Sequence, residues 1–425
     1  MERFNPWWKR EPDEVYEEWQ RSPVKWVPEE IRYLSLRPFS LNFLSGPRQV
    51  GKTTAVKLLV AELLKTRPAE SIFYFSCDEL SDHRELGEVL DGYLRSSAAR
   101  GIKERVVFLD EVTAVRDWWR AVKSRVDDGS FRGDSVTVTG SASLELMKQR
   151  EMFPGRRGNG TDVMMHPRSF SQYVSALGGP SMVEASSLLE VERAIAGNAM
   201  YEEDLSRAFL DYLQTGGFPR SIIEMRERGR VGEAPVKTLL DWLRADWARA
   251  GRNDRSMKEV IAYILRARGT PVSWLGIARE TSIGSPHTTQ AYVETLEGLM
   301  VALVLELITP QGRVVSRRNR KIHFTDPLVY RAFSVFSGVE LDEPALVEAT
   351  VASHLSRRWR TYYWKDGTEV DVVVLEGGRQ VGIETKWGFK KGSRPRHLSS
   401  AYLSLDRRTV PLFLASFGGP RLAAG

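Results

Sequence analysis

Short apolar runs separated by amphipathic stretches dominate the first part of the chain. Leu41-Asn-Phe-Leu-Ser45, Ile72-Phe-Tyr-Phe-Ser76, Arg105-Val-Val-Phe-Leu109 and Ser135-Val-Thr-Val-Thr139 are apolar without strict alternation. Such runs predict strands buried on both faces, and the helical patterns between them predict a doubly wound parallel α/β sheet over residues 1–200. Residues 201–255 change to helical spacing, with Leu205, Phe209, Tyr212 and Leu213 on one face and Val236 to Leu243 continuing the pattern. Residues 256–335 read as helix (257–265), short helix (272–278), a Gly284-Ser285-Pro286 turn, helix (287–299) and strand (301–307). That order predicts a winged helix-turn-helix, with Ser285 as cap and Pro286 at the first helical position. Residues 336–425 read as a further α/β domain: a helix over 344–355, a strand at Tyr362-Tyr-Trp364, and a hairpin.

A chain of 425 residues, 42% hydrophobic, has enough material for two or three domains. The longest apolar runs are too short to span a bilayer, and Met1-Glu-Arg-Phe-Asn-Pro-Trp-Trp8 has no signal pattern. Cys77 is the only cysteine, which excludes an internal disulfide and suits a cytoplasmic location. The net charge of +6 permits an acidic partner such as nucleic acid without requiring one.

The first candidate chemistry follows the first strand. Gly46-Pro-Arg-Gln-Val-Gly51-Lys52-Thr53 fits G-x-x-x-x-G-K-[ST], and a helix over 54–64 follows it. Backbone N–H groups of Gly46, Arg48, Gln49, Val50, Gly51, Lys52, Thr53 and Thr54 would form a phosphate cradle at a helix N-terminus, with Pro47 shaping the turn. Lys52 would reach the β- and γ-phosphates of ATP, and Thr53 would hold Mg²⁺. Asp110 and Glu111 end an apolar strand, where ligands of parallel sheets bind. Asp110 would position Mg²⁺ and Glu111 would act as general base toward water. Ser141 or Thr139 would contact the γ-phosphate or the attacking water, although Ser141 equally suits a helix cap. Arg156, in Phe153-Pro-Gly-Arg156-Arg157-Gly158, suits either transition-state charge stabilisation, in cis or from a second subunit, or an exposed basic turn.

These features occur in the order found in AAA-type P-loop ATPases. The chain resembles the prokaryotic, mainly archaeal, branch close to the STAND group. The resemblance extends to Gly140-Ser141, Pro154-Gly-Arg156, His166-Pro-Arg-Ser-Phe170-Ser-Gln-Tyr173 and Tyr212-Leu-Gln-Thr-Gly216-Gly217-Phe-Pro219. It implies a helical lid near the base of ATP with Pro219 beside the nucleotide, though Pro219 also suits an ordinary helix stop. Asn5-Pro-Trp-Trp8 and Pro23-Val-Lys-Trp26-Val-Pro28 are similar to a family segment that packs on the nucleotide domain.

The hairpin near the C-terminus carries the second candidate site. Glu369-Val-Asp371-Val-Val-Val-Leu375 and Gln380-Val-Gly-Ile-Glu384-Thr-Lys386 flank Gly377-Gly378. That turn sets Asp371 opposite Glu384, with Lys386 on the same face and Val370, Val372, Val374, Val381 and Ile383 on the other. Facing carboxylates repel, and a divalent cation would remove that cost. The D…E-x-K pattern resembles PD-(D/E)XK nucleases and the C-terminal domain that accompanies prokaryotic AAA ATPases. Glu348 matches the acidic position of the preceding helix. The resemblance implies Glu348, Asp371 and Glu384 as ligands of Mg²⁺ or Mn²⁺, with Asp371, Glu384 and Lys386 catalytic. An ordinary exposed strand face would carry the same triplet.

The expected partner is DNA. Thr288, Thr289 and Gln290 would enter the major groove, and the basic stretch Arg313-Val-Val-Ser-Arg317-Arg318-Asn-Arg320-Lys321 would meet phosphates, as would Lys386 to Arg396. A homo-oligomer is compatible with this reading, and no membrane is. The expected activity is Mg²⁺-dependent ATP hydrolysis coupled to remodelling or cleavage of DNA. The alternatives are an ATP-dependent switch that binds DNA or protein without cutting, and a DNA translocase.

Overall fold

The computed structural model describes residues 1–140, 151–366, 368–388 and 401–418, and these form two compact units, Met1–His166 and Pro167–Gly425. The first unit contains α1 (Glu14–Arg21), β1 (Ser40–Ser45), α2 (Lys52–Leu63), β2 (Ile72–Ser76), α3 (His83–Ala99), β3 (Val106–Asp110), α4 (Trp118–Asp127), β4 (Ser135–Gly140) and β5 (Asp162–Met164). The expected strands are present, and β5, which the sequence pattern does not reveal, adds to them. All pairings are parallel in the order β2-β3-β4-β1-β5. Leu41, Phe43, Phe73, Val107, Leu109, Val136 and Val138 are buried in one cluster on one face of the sheet, and Leu44, Ile72, Val106 and Phe108 are buried on the other, which explains the unbroken apolar runs.

The edge strand β2 is covered by the N-terminal segment. The Asn5 amide acts as a neighbouring strand would: its Nδ2 donates to the Tyr74 carbonyl (2.9 Å) and its Oδ1 accepts from the Tyr74 N–H (2.7 Å). Trp7 and Trp8 Nε1 donate to the Ile72 carbonyl at 3.2 and 3.0 Å. Asn5-Pro-Trp-Trp8 therefore caps an edge that would otherwise expose unpaired backbone groups.

The second unit begins with α5 (Phe170–Ala176), α6 (Val191–Gly197), α7 (Glu202–Thr215), α8 (Pro219–Arg228) and α9 (Glu233–Arg249). The sequence assigns residues up to 200 to the first domain; α5 and α6 lie in the second compact unit. Ser169 and Gln172 form a reciprocal capping box at the start of α5. Next come α10 (Asp254–Ala267), α11 (Trp274–Arg279) and α12 (Pro286–Gly298), followed by β6 (Ala302–Leu305), β7 (Leu307–Ile308), β8 (Val314–Val315) and β9 (Lys321–Phe324). Ser285 caps α12 and Pro286 occupies its first turn, as the turn chemistry requires. The single strand expected over 301–307 is broken at Glu306. β6 pairs with β9, while β7 pairs with β8 and with a strand of the larger sheet.

The remaining elements are α13 (Pro327–Ser337), α14 (Glu343–Ser356), β10 (Thr361–Asp366), β11 (Thr368–Glu376), β12 (Arg379–Thr385), β13 (Ala401–Leu405) and α15 (Thr409–Ala415). They build a mixed sheet in the order β13-β12-β11-β10-β7-β8. The hairpin register follows from its turn: Val372 faces Ile383 and Val374 faces Val381. Continued by one residue, that register puts Asp371 opposite Glu384.

Gly216 ends α7 as its C-cap and Pro219 opens α8, so Gly216-Gly217-Phe-Pro219 joins two helices inside this unit. Gly217 N–H donates to Asp326 Oδ2 (2.8 Å) and its carbonyl accepts from Arg168 N–H (2.9 Å). Tyr212 Oη donates to the Arg168 carbonyl (2.7 Å), so two motifs about fifty residues apart and the cap of α13 close on one point. Burial pushes the Asp326 carboxyl up to about 6, opposed by the N–H groups of Gly217 and Leu328.

Candidate active site

In the first unit the loop 46–51 leads directly into α2. Gly51 stands at φ 95°, a conformation that a β-carbon disfavours, and Lys52 begins the helix. The Lys52 side chain is buried, and Nζ donates to the carbonyls of Gly46 and Pro47, each at 3.0 Å. The ammonium therefore lies over the loop, beside a helix N-terminus whose dipole favours anions.

Asp110 is the centre of the hydrogen bonding here. Its Oδ2 accepts from Thr53 Oγ1 (2.6 Å) and from Tyr74 Oη (2.8 Å), and its Oδ1 accepts from Thr139 Oγ1. Thr139 Oγ1 also accepts the Glu111 N–H (3.1 Å). The strand order explains this. β4 lies between β1 and β3, so Thr139 falls between the phosphate loop and the acidic pair. Thr139 is fully buried and orients Asp110 and Glu111, so the expected direct contact of Thr139 with phosphate or water is replaced by a positioning role. Glu111 adopts φ 53°, ψ 42°, a left-handed conformation uncommon for a non-glycine residue and held here by its neighbours. Adjacent hydroxyl and carboxylate oxygens, Thr53 and Asp110, are the hard donors that Mg²⁺ takes, so these residues fit that ion.

Tyr74 was not legible as a site residue. Burial, then the Asp110 charge, raise its pKa above the ordinary phenol value, so the hydroxyl stays a donor. Lys57, paired with Asp13 at 2.9 Å, lies 3.6 Å from the Tyr74 ring centre. Tyr74→Phe keeps the ring and this stacking but removes a hydrogen bond to a carboxylate, worth about 1.5–3 kcal/mol. Roughly tenfold slower ATP turnover with an unchanged far-UV spectrum is expected, measured by phosphate release. Unchanged turnover would remove Tyr74 from the site.

Arg156 pairs with Asp127 (2.5 Å) and is about one-third exposed, which matches the basic-turn reading of its loop. Ser141 and the basic residues 389–396 lie outside the described residues. Pro219 belongs to the second unit.

In the second unit, Glu348 of α14, Asp371 of β11, Glu384 of β12 and Lys386 converge, joined by two residues not assigned there from sequence. Lys321, on β9, is 1% exposed and its Nζ contacts Glu348 Oε1 (2.8 Å), Glu369 Oε1 (2.8 Å) and Asp371 Oδ1 (3.1 Å). The expectation that Lys321 meets phosphate from a wing is therefore corrected: period-two alternation turns it and His323 inward. Asp371 Oδ2 accepts the Thr385 N–H (2.8 Å), and Lys386 Nζ pairs with Glu384 Oε1 (2.5 Å). Among the described residues Glu384 Oε2 is buried without a hydrogen-bond partner. Burial alone would push the Lys321 ammonium down, but Glu348, Asp371 and Glu369 outweigh it and hold its pKa above the usual lysine value. Burial, then Asp371, raise both Glu348 and Glu384.

The expected divalent ion does not fit this arrangement. Lys321 Nζ already holds the oxygens of Glu348 and Asp371 that such an ion would take, at 2.8 and 3.1 Å, and an ammonium and a divalent cation crowded onto the same oxygens would repel. The like-charge cost of the facing carboxylates is relieved by Lys321 and Lys386 instead.

Burial, then the Lys321 charge, push the His323 imidazole down to about 3, and among the described residues neither ring nitrogen has a hydrogen-bond partner. Above pH 6.5 the ring is neutral both folded and unfolded. As pH falls from 6.5 toward 3 only the unfolded chain takes up the proton, so stability is lost. Between pH 7 and pH 5 this amounts to about 2 kcal/mol. Glu348 and Asp326, raised in the fold, titrate in the opposite sense and are common to both proteins compared. His323→Leu is expected to reduce the acid-induced loss of urea stability by that amount; an unchanged pH dependence would refute the assignment.

In the helix-turn-helix segment, Thr288 is exposed and Gln290 half-buried, its Nε2 donating to Glu294 (2.7 Å). Thr289 is fully buried and donates to the Ser285 carbonyl (3.0 Å), so it cannot reach a groove. Arg313, Arg317 and Arg318 are exposed, whereas Arg320 stacks on Trp274 at 4.5 Å. Among the described residues no helix is long and apolar enough to cross a membrane.

Residues 39–174 match the AAA domain family. No curated protein matches the chain. Among solved structures, it is similar to the Walker-type ATPase PABY2304 of Pyrococcus abyssi, at 14% identity over 69% of this chain and 90% of that one, with a TM-score of 0.44. It is also similar to the Aeropyrum pernix ORC2 protein in ADPNP–ADP complexes (12% identity, 70% and 88% covered, TM-score 0.37). The Aeropyrum pernix ORC1 protein in complex with DNA matches at 17% identity, 70% and 86% covered, with a TM-score of 0.30. Residues 39–174 carry the match to an AAA-type ATPase domain, and the first unit has an α/β fold on a parallel central sheet.

Proposed function

We propose that this protein hydrolyses ATP with Mg²⁺ and uses the nucleotide state to control DNA binding by its second unit. The observation that carries the first half is the convergence of Thr53, Tyr74 and Thr139 on Asp110, beside Lys52 and a left-handed Glu111. Lys52 and the loop N–H groups bind and orient the phosphates. Thr53 and Asp110 hold Mg²⁺, which when bound neutralises charge on the phosphates. Glu111, fixed through its N–H by Thr139, takes the proton from water as general base. Ser141 and Arg156 are retained as candidates for contacting the γ-phosphate, and Pro219 as a candidate beside the base.

Support for DNA binding comes from helices α10 to α12, the exposed Thr288 and the arginines at 313, 317 and 318. Phosphate contacts of this kind give affinity that falls steeply with salt. The test is anisotropy of labelled duplex DNA with ATP analogue, ADP or no nucleotide, over a salt series. Nucleotide-dependent affinity with a negative salt slope is expected, and a triple Ala variant at Arg313, Arg317 and Arg318 should flatten the slope. Nucleotide-independent affinity, or no binding, would reject the coupling.

Phosphodiester cleavage by Asp371, Glu384 and Lys386 with Glu348 is a second reading, favoured by the unpartnered Glu384 Oε2. The Lys321 ammonium among the same carboxylates favours the switch over the nuclease.

A further inference from the structure

We propose that Lys321 permanently takes the place of the divalent cation in the carboxylate cluster of the second unit, making it a structural ion network that binds no catalytic metal. Geometry carries this. Nζ sits within 3.1 Å of oxygens from Glu348, Glu369 and Asp371, which come from one helix and one strand. These contacts leave Asp371 Oδ1 and Glu348 Oε1 engaged by the ammonium and Asp371 Oδ2 engaged by the Thr385 N–H. A cation bridging Glu348 and Asp371 would compete with Nζ for the same oxygens.

The lysine is held there by more than charge. Its strand pairs with β6, Leu305 facing Lys321, and the side chain is almost wholly buried. Swinging out would leave Glu348 and Asp371 without this counter-ion, Glu369 keeping Lys365, and open a void along the stem. Lys321 Nζ donates to Glu348 and Asp371 and pairs with Glu369 at 2.8 Å. The neighbouring His323, 3.6 Å from Glu348, is too far for a hydrogen bond and, kept neutral, adds no charge to the network. A unit built this way retains the D…E-x-K face while lacking the ion that activates water; on the DNA-binding reading proposed above, it would hold nucleic acid without cutting it.

The test counts Mn²⁺ bound to the full-length protein without nucleotide, by electron paramagnetic resonance of the free ion. Wild type and Asp371→Asn are expected to bind the same number of ions, because no ion depends on Asp371. Loss of one bound ion in Asp371→Asn would overturn the proposal. Lys321→Met should gain one Mn²⁺ and a Mn²⁺-dependent rise in melting temperature, both abolished by adding Asp371→Asn. A folded Lys321→Met that takes up no more Mn²⁺ than wild type would overturn it as well. If Lys321→Met does not fold, the comparison of wild type with Asp371→Asn still decides. ATP turnover is measured separately and does not depend on this outcome.

Discussion

Lys52→Ala is expected to lower ATP turnover at least about a hundredfold and to weaken nucleotide binding, with little change in melting temperature. The ammonium lies over the loop, and its partners include two backbone carbonyls of the same loop. Alanine is a good helix former at the start of α2, so the fold has little to lose. The chemistry has much to lose, because charge on the transferred phosphoryl group is stabilised by fixed cations rather than by covalent steps. Phosphate release and fluorescent ATP binding, measured on the same preparation as a thermal melt, separate the two effects. Normal turnover in Lys52→Ala would mean that the loop does not bind ATP as described.

The second large effect is on folding. A β-carbon on Gly217 would stand 2.2 and 2.3 Å from the carbonyl oxygen and nitrogen of Arg168 and 2.7 Å from the Pro167 carbonyl carbon. All three are backbone atoms that cannot rotate away. Moving them would also break the bonds of Gly217 to Arg168 and Asp326. Gly217→Ala should therefore cost more than about 4 kcal/mol, the range reserved for severe steric or buried-network damage. The second unit should melt first, seen as early proteolysis after residue 167, while ATP binding by the first unit persists. An unchanged melting profile would contradict the close approach.

Local chemistry was legible in the sequence where neighbours in the chain are neighbours in space. The phosphate loop, Asp110 with Glu111, the Ser285-Pro286 cap and the hairpin register are of that kind. Each depends on a few consecutive residues and a known period. Tyr74, Asp326 and Lys321 were not legible, since their partners lie 36, 109 and 50 residues away, at Asp110, Gly217 and Asp371. Lys321 was misleading because it ends a basic run whose other members are exposed or half-buried. The signal that distinguishes it is the Lys321-Ile-His323-Phe alternation, which sends two ionisable groups to one face of a strand. Thr139 shows the same limit in another way. The residue was noticed, but its role follows from β4 lying between β1 and β3, and strand order is not written in any single strand.

The central claim is that a nucleotide site built on Lys52 and Asp110 drives the second unit's hold on DNA. The most direct measurement is Mg²⁺-dependent phosphate release by the wild-type chain, titrated with duplex DNA and compared with Asp110→Asn. Turnover that requires Mg²⁺, changes on saturation with duplex and is lost in Asp110→Asn is the predicted result. Turnover indifferent to DNA, or surviving in Asp110→Asn, would contradict the account.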